Sequence, residues 1–193
     1  MHKKIFILLG HPTTASLSGS VASAYEEGAL EAGHEVRRMN VGDMRFDPVL
    51  RSGYQKIQEL EPDLKTFQAN VSWCDHFVIV YPNWWSAMPA VLKGIFDRAW
   101  LPGFAYNFYK DGRLGWHKRL RGKSARILVL SNAHPLLTWL FFGEFTNELA
   151  RATLGFAGIA PVRVKVFSPS EKASPERIGW WLRTVKNWGK RVL

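Results

Sequence analysis

Two adjacent indoles, Trp84 and Trp85, sit just past a short β-branched run that ends in Pro82, with Asn83 before them and Ser86 behind. The run Phe77 to Tyr81 has the composition of a central strand buried on both faces, and Pro82 closes it because proline cannot donate to a sheet ladder. Side chains just beyond the carboxyl end of such a strand occupy the place where open α/β sheets bind ligands. A second constellation lies near the start of the chain, where Gly10 to Ser16 reads Gly-His-Pro-Thr-Thr-Ala-Ser between an apolar run and a helical pattern. Strand, polar loop and helix start together supply the parts of a phosphate site: free N–H groups, the positive end of a helix dipole and short hydroxyl donors. The loop is neither a P-loop nor a GxGxxG turn. Zinc-ligand spacing, a serine nucleophile motif and paired catalytic carboxylates are all missing, which removes hydrolytic and metal-dependent chemistry, so no metal site is expected. His134, a lone histidine in a loop, is the one weak acid–base candidate.

The elements that must position these residues follow from periodicity. Lys4 to Leu9 reads as a parallel-type strand, and a helix begins near Ser16 with Leu17, Val21 and Ala24 inward. His34 to Val41 reads as a second strand, polar enough for a place near an edge. Leu60, Leu64, Phe67, Val71 and Cys74 form an amphipathic stripe that feeds the strand at Phe77. Pro89 reads as the first residue of a helix whose apolar face is Val91, Leu92, Ile95, Phe96 and Ala99. Gly112 to Gly122 is glycine-punctuated and basic, Ala125 to Leu130 is a buried strand, and Ser131-Asn132-Ala133-His134-Pro135 follows it. Phe145, Leu149, Ala152 and Phe156 mark another helix, and Val162, Val164 and Val166 a last strand. Pro175 opens the final helix, with Ile178, Leu182, Val185 and Val192 inward. Strands alternating with helices argue a doubly wound parallel sheet of five strands and five helices, with residues 1–193 forming a single domain.

The run Pro82-x-Trp84-Trp85-x-x-x-Pro89-Ala90-x-Leu92-Lys93-Gly94-x-x-Asp97-Arg98, with Phe104-Ala105-Tyr106 behind it, resembles the flavodoxin-like NAD(P)H:quinone reductases. The resemblance implies a flavodoxin-like three-layer α/β sandwich, FAD (alternatively FMN) as cofactor, NAD(P)H as electron donor and a quinone or similar electrophile as acceptor. It implies cofactor contacts at His11, Thr13, Ser16, Leu17 and Ser18, at Pro82, Asn83, Trp84, Trp85 and Ser86, and at Ser131, Asn132 and Ala133. His11 and Ser16 stand where the family contacts the pyrophosphate or phosphate, and Phe104, Tyr106 and Trp139 are expected in the substrate pocket. The chain departs from the family after the strand ending at Leu130. It lacks the Thr-Thr-Gly-Gly run, and the positions of the catalytic tyrosine and histidine hold Thr138 and Glu144, so those roles are not carried over.

Composition narrows the alternatives. The single cysteine, Cys74, precludes an internal disulfide and agrees with a reducing compartment, hence the cytoplasm. The N-terminal apolar run is too short for a signal peptide, and Leu136 to Phe142 is too short to span a bilayer, leaving it as core, lid or dimer contact. The net charge of +10 concentrates in segment 110–126, whose one acid is Asp111, and in the last helix. No nucleic-acid motif accompanies it, so nucleic acid is not an expected partner. An electron-carrier flavodoxin is disfavoured, such carriers being acidic. A regulatory flavoprotein bound to a membrane transport protein, such as a potassium efflux system, is the alternative. Nine tryptophans in one small domain, with the family likeness, point to a homodimer.

Overall fold

The computed structural model describes residues 2–110, 113–143 and 145–192. Asp111, Gly112 and Glu144, named above, lie outside them. In chain order the elements are β1 (Lys4–Leu9), α1 (Leu17–Glu31), β2 (Glu35–Asn40), α2 (Pro62–Trp73), β3 (His76–Pro82), α3 (Ala90–Ala99), β4 (Tyr106–Phe108), β5 (Trp116–Lys118), β6 (Ser124–Leu130), α4 (Pro135–Phe142), a π-helical stretch (Glu148–Gly155), β7 (Val162–Phe167) and α5 (Pro175–Arg191). Strands β1, β2, β3, β6 and β7 form one parallel sheet in the order β2-β1-β3-β6-β7. The expected flavodoxin-like α/β architecture is therefore present.

β3 is buried along its whole length, as a strand covered on both faces must be. Its alternate residues divide the core in two. Phe77, Ile79 and Tyr81 face α2 and α3, together with Leu64, Phe67, Leu92 and Ile95. Val78 and Val80 face α1 and α5, with Val21, Tyr25, Trp181 and Val185. From β1 the chain steps out to β2, then crosses back past β1 to β3 and on to β6 and β7, so the carboxyl ends of β1 and β3 flank the switch point of the sheet.

Several local expectations change. Pro89 occupies the N-cap of α3 and Ala90 is its first residue, because the proline ψ of 142° is extended. The glycine-punctuated basic segment supplies a short strand, β5, that pairs antiparallel with β4 from the residues before it, with Trp116 stacked on Phe156 at 4.2 Å. The helix through Leu149 is widened to π geometry, and in α5 the fully inward residues are Trp181 and Val185, with Ile178 and Leu182 only partly covered. Cys74 is buried, and burial pushes its thiol up to about 11, the property of a structural rather than reactive cysteine. No helix among the described residues is long and apolar enough to cross a membrane.

His76 opens β3 at 2% exposure, its Nδ1 2.7 Å from Ser124 Oγ. Burial, and then the charges of Arg126, Arg163 and Lys3, pushes it down from 6.5 to about 3. The folded state thus holds this imidazole neutral where the unfolded chain would protonate it. Stability is expected to fall as pH drops from 6.5 toward about 3, by up to ~1.4 kcal/mol per pH unit from this group. Urea unfolding at pH 6.5 and 5.5 should show a shallower loss for His76→Asn than for the parent; equal slopes would refute the assignment.

Candidate active site

The loops after β1, β3, β6 and β7 meet at the switch point around a cavity of about 370 Å³. Its lining includes His11, Ser16, Leu17 and Ser18 from the first loop and helix, Pro82, Asn83 and Trp84 from the second, and Asn132 from the third. Four further residues, Leu130, Ser170, Glu171 and Ile178, complete it.

Each wall has a local cause. Ser16 caps α1, its Oγ accepting from the Gly19 N–H at 3.1 Å and donating to the Thr13 carbonyl at 3.0 Å. The cap satisfies one of the first orphan N–H groups; those of Leu17 and Ser18 have no intrahelical acceptor by helix geometry, and both residues face the cavity. Thr13 N–H donates to His11 Nδ1 at 3.0 Å, and the His11 ring meets Trp84 edge-on with centroids 5.9 Å apart, so the first two loops touch through aromatic rings.

The second loop is a two-residue reversal, Trp84 and Ala87 exchanging backbone hydrogen bonds of 3.0 and 3.1 Å. Trp85 and Ser86 at its tip both have left-handed φ, 53° and 58°. Such a turn favours glycine or asparagine, and two other residues there cost on the order of 1–2 kcal/mol each. Its effect is to hold the Trp85 indole in solvent at 101% exposure, touching none of the core. Asn83 behind the turn donates from Nδ2 to Ser131 Oγ at 3.2 Å, while its buried Oδ1 has no partner. The third loop is fixed by Asn132, whose Oδ1 accepts from the Glu171 N–H at 2.8 Å and the Ser170 hydroxyl at 3.3 Å.

Thr13, Trp85, Ser86, Ser131 and Ala133 thus lie on the same three loops but outside the cavity lining. Ala133 is exposed, its carbonyl accepting from Ser168 Oγ at 2.8 Å, and Ser131 is buried beneath Asn83. The expected substrate residues separate. Phe104 packs on Trp100 in the α2–α3 core, 5.7 Å between centroids, and Tyr106 lines a different cavity of about 240 Å³ with Tyr54, Lys93 and Phe156. Neither joins the switch-point cavity within one chain: Tyr106 sits in the separate two-stranded β4–β5 sheet, and Phe104 packs into the core before it. Trp139 lies on α4, exposed with Leu136, Leu137, Leu140 and Phe141, while Thr138 turns inward. His134 is the exposed residue before α4 and its carbonyl receives the Thr138 hydroxyl at 3.1 Å. Reading the sequence missed the loop after β7. Its signal was Ser168-Pro169-Ser170, turn chemistry after an alternating strand on the same edge as the other three loops.

A model of the family described as having a flavodoxin-like fold matches residues 3–183. The chain belongs to this family. The chain is 30% identical over 167 residues to a protein of Haemophilus influenzae named an uncharacterized NAD(P)H oxidoreductase, covering 83% of this chain and 81% of the relative. The Escherichia coli protein YcaK, of the same description, is 31% identical over 115 residues, but the match spans only 54% of this chain and 56% of that relative's length. Among solved structures, the NAD(P)H:quinone oxidoreductase from Methanothermobacter marburgensis superposes with a TM-score of 0.84 at 25% identity, covering 100% of both chains. In family terms, the switch-point cavity is where a doubly wound sheet holds its ligand.

Proposed function

We propose that the chain is a flavin-dependent NAD(P)H oxidoreductase that reduces quinones or similar electrophiles, with FAD as the flavin and FMN as the alternative. The observation that carries this reading is the partnerless, buried Oδ1 of Asn83 in the wall of the switch-point cavity, facing a helix start with two uncommitted N–H groups across the same space. A buried amide oxygen is normally hydrogen-bonded, so a ligand with a donor beside Asn83 and anionic oxygens beside Leu17 and Ser18 would satisfy both ends. A flavin has an N–H-bearing ring at one end and a phosphate at the other. The residues present fit it.

When bound, the flavin supplies the two-electron chemistry between reduced nicotinamide and acceptor. This chain's residues bind and orient. Leu17 and Ser18 N–H groups, at the positive end of α1, hold phosphate oxygens, with Ser16 and Thr13 fixing the loop and His11 beside it. Asn83 reads the ring edge, Trp84 walls the cavity, and Trp85 and Ser86 extend that wall. The exposed apolar side chains of α4, Trp139 among them, are the acceptor wall and are covered by a second copy of the chain, since apolar area of this kind marks a binding surface. Phe104 and Tyr106 belong to the acceptor region only in such a dimer. His134 is not required as an acid, the flavin carrying the reaction.

Denaturing the purified protein and separating the released chromophore tests the cofactor, and oxidation of NADPH with menadione tests the activity. A yellow protein that oxidises NADPH only when menadione is present is expected; a colourless protein that neither flavin reconstitutes overturns the reading. Light scattering should give a dimer. Trp85→Ala should weaken flavin binding about fivefold, the value of one stacking contact of ~1 kcal/mol, with unchanged thermal stability because the indole packs on nothing in the fold. Unchanged flavin affinity in this variant would remove Trp85 from the site.

A further inference from the structure

At the opposite, amino edge of the sheet lies a second polar cavity of about 360 Å³, lined by Lys3, His34, Asp75, His76, Ser124, Lys190, Arg191 and Val192. Three cationic side chains face one carboxylate there. Asp75 is partly engaged, accepting the Lys4 N–H at 3.0 Å, and Lys190 pairs with Glu31 at 2.9 Å. Lys3 and Arg191 have no acidic partner among the described residues. His34 is held on both sides, accepting the Lys3 N–H at Nδ1 (3.3 Å) and donating from Nε2 to the Lys190 carbonyl (3.2 Å), so it shapes the mouth.

The inner wall of this cavity is abnormal in a way that points to a ligand. His76 is 2% exposed and its Nε2 has no partner. The Tyr25 ring lies nearly parallel to it, centroids 6.2 Å apart, and the buried Tyr25 hydroxyl is likewise unpartnered. Arg126 follows Ser124 by two residues on the same face of β6; it is 6% exposed, its Nε has no acceptor, and its guanidinium rests on the Trp188 ring at 4.3 Å with no salt-bridge partner among the described residues. Its neighbour across the sheet is another arginine, Arg163. Buried polar groups are normally bonded and buried charges normally paired, yet His76 Nε2, from a residue of the cavity lining, has no acceptor, and neither do the Tyr25 hydroxyl and Arg126 Nε in the packed layer behind it. The partial negative charge at the carboxyl end of α5 is offset by Lys190 and Arg191 in its last turn.

We infer that this cavity binds a small multivalent oxyanion, inorganic phosphate or the phosphate of a small phosphate ester, at the end of the sheet remote from the switch-point cavity. Acceptor oxygens on one centre would satisfy the His76 donor in the lining, and its charge would balance Lys3 and Arg191. A neutral water could fill hydrogen bonds but not offset the cations. The inference is independent of the flavin reading.

The test is a calorimetric titration of the flavin-loaded protein with inorganic phosphate and, separately, glycerol 3-phosphate, against chloride at equal ionic strength. In parallel, side-chain ¹⁵N spectra of the histidines locate the binding. Saturable binding of one or both probes is expected, with His76 and His34 signals moving and that of His11 still; the tighter probe tells free phosphate from ester. The double variant Lys3→Gln, Arg191→Gln changes only surface cations, and should bind at least tenfold more weakly while keeping its flavin content. Heat no greater than with chloride, or phosphate binding that the double variant leaves intact, overturns the inference.

Discussion

Gly19→Ala is expected to weaken flavin binding at least tenfold, although the change adds one methyl group and touches no residue of the cavity wall directly. A Cβ at Gly19 would stand 1.9 Å from the Thr14 carbonyl oxygen and 2.8 Å from its carbonyl carbon. These are backbone atoms, which cannot rotate aside as a side chain could. Either the loop carrying His11 and Thr13 lifts, or the first turn of α1 opens and loses the Ser16 cap to Gly19 N–H, itself worth ~1 kcal/mol. Both outcomes misdirect the Leu17 and Ser18 N–H groups. A tenfold loss corresponds to about 1.4 kcal/mol. Titration of apoprotein with flavin, followed by fluorescence quenching, measures it; parental affinity in this variant would mean that the helix start does not hold the phosphate.

The largest effect on stability is expected at Arg98. This side chain is 1% exposed, yet its guanidinium reaches the Glu61 carboxylate at 2.8 and 3.2 Å, the Glu59 carbonyl at 2.8 Å and the Asp47 carbonyl. Glu61 Oε1 also accepts the Asp47 N–H at 3.1 Å. One guanidinium from α3 therefore ties down both ends of the irregular chain between Asp47 and Glu61. Arg98→Ala leaves a partly buried carboxylate and two carbonyls without their donor, a loss of about 3–5 kcal/mol for breaking such a pair. In a chain of this size that is a fall in Tm of roughly 6–20 °C. Burial works to raise the Glu61 carboxyl, but the Arg98 hydrogen bond and its neighbours outweigh it and hold Glu61 below its ordinary 4.5. Its stabilising contribution is thus present above that value and lost as pH falls through the depressed one, and Arg98→Ala should flatten this acid limb. Scanning calorimetry at two pH values checks both statements. A loss under 1 kcal/mol would show that the segment is held by something else.

The local features of this molecule were determined by the sequence alone. β3 could be read from an unbroken apolar run, α1 from Ser16 and its stripe, and the three ligand-facing loops from glycine, proline and hydroxyl residues at strand ends, because burial periodicity and turn chemistry act over a few residues. The family motif was equally visible, including Asp97-Arg98, but not what Arg98 does: its partners are 37 to 51 positions away, and nothing local marks them. Tertiary structure also decided that Tyr106 and Phe104 stand apart from the cavity: Tyr106 sits in the β4–β5 pair, where Trp116 meets Phe156 across 40 residues, and Phe104 packs on Trp100. It brought the loop after β7 to the cavity, because the register of parallel strands fixes which loops share an edge. And it gathered Tyr25, His76 and Arg126, each unremarkable in its own segment, into one layer at the far edge. Hydrogen-bond satisfaction is a property of three-dimensional neighbours, so donors without acceptors become visible only once the chain has folded.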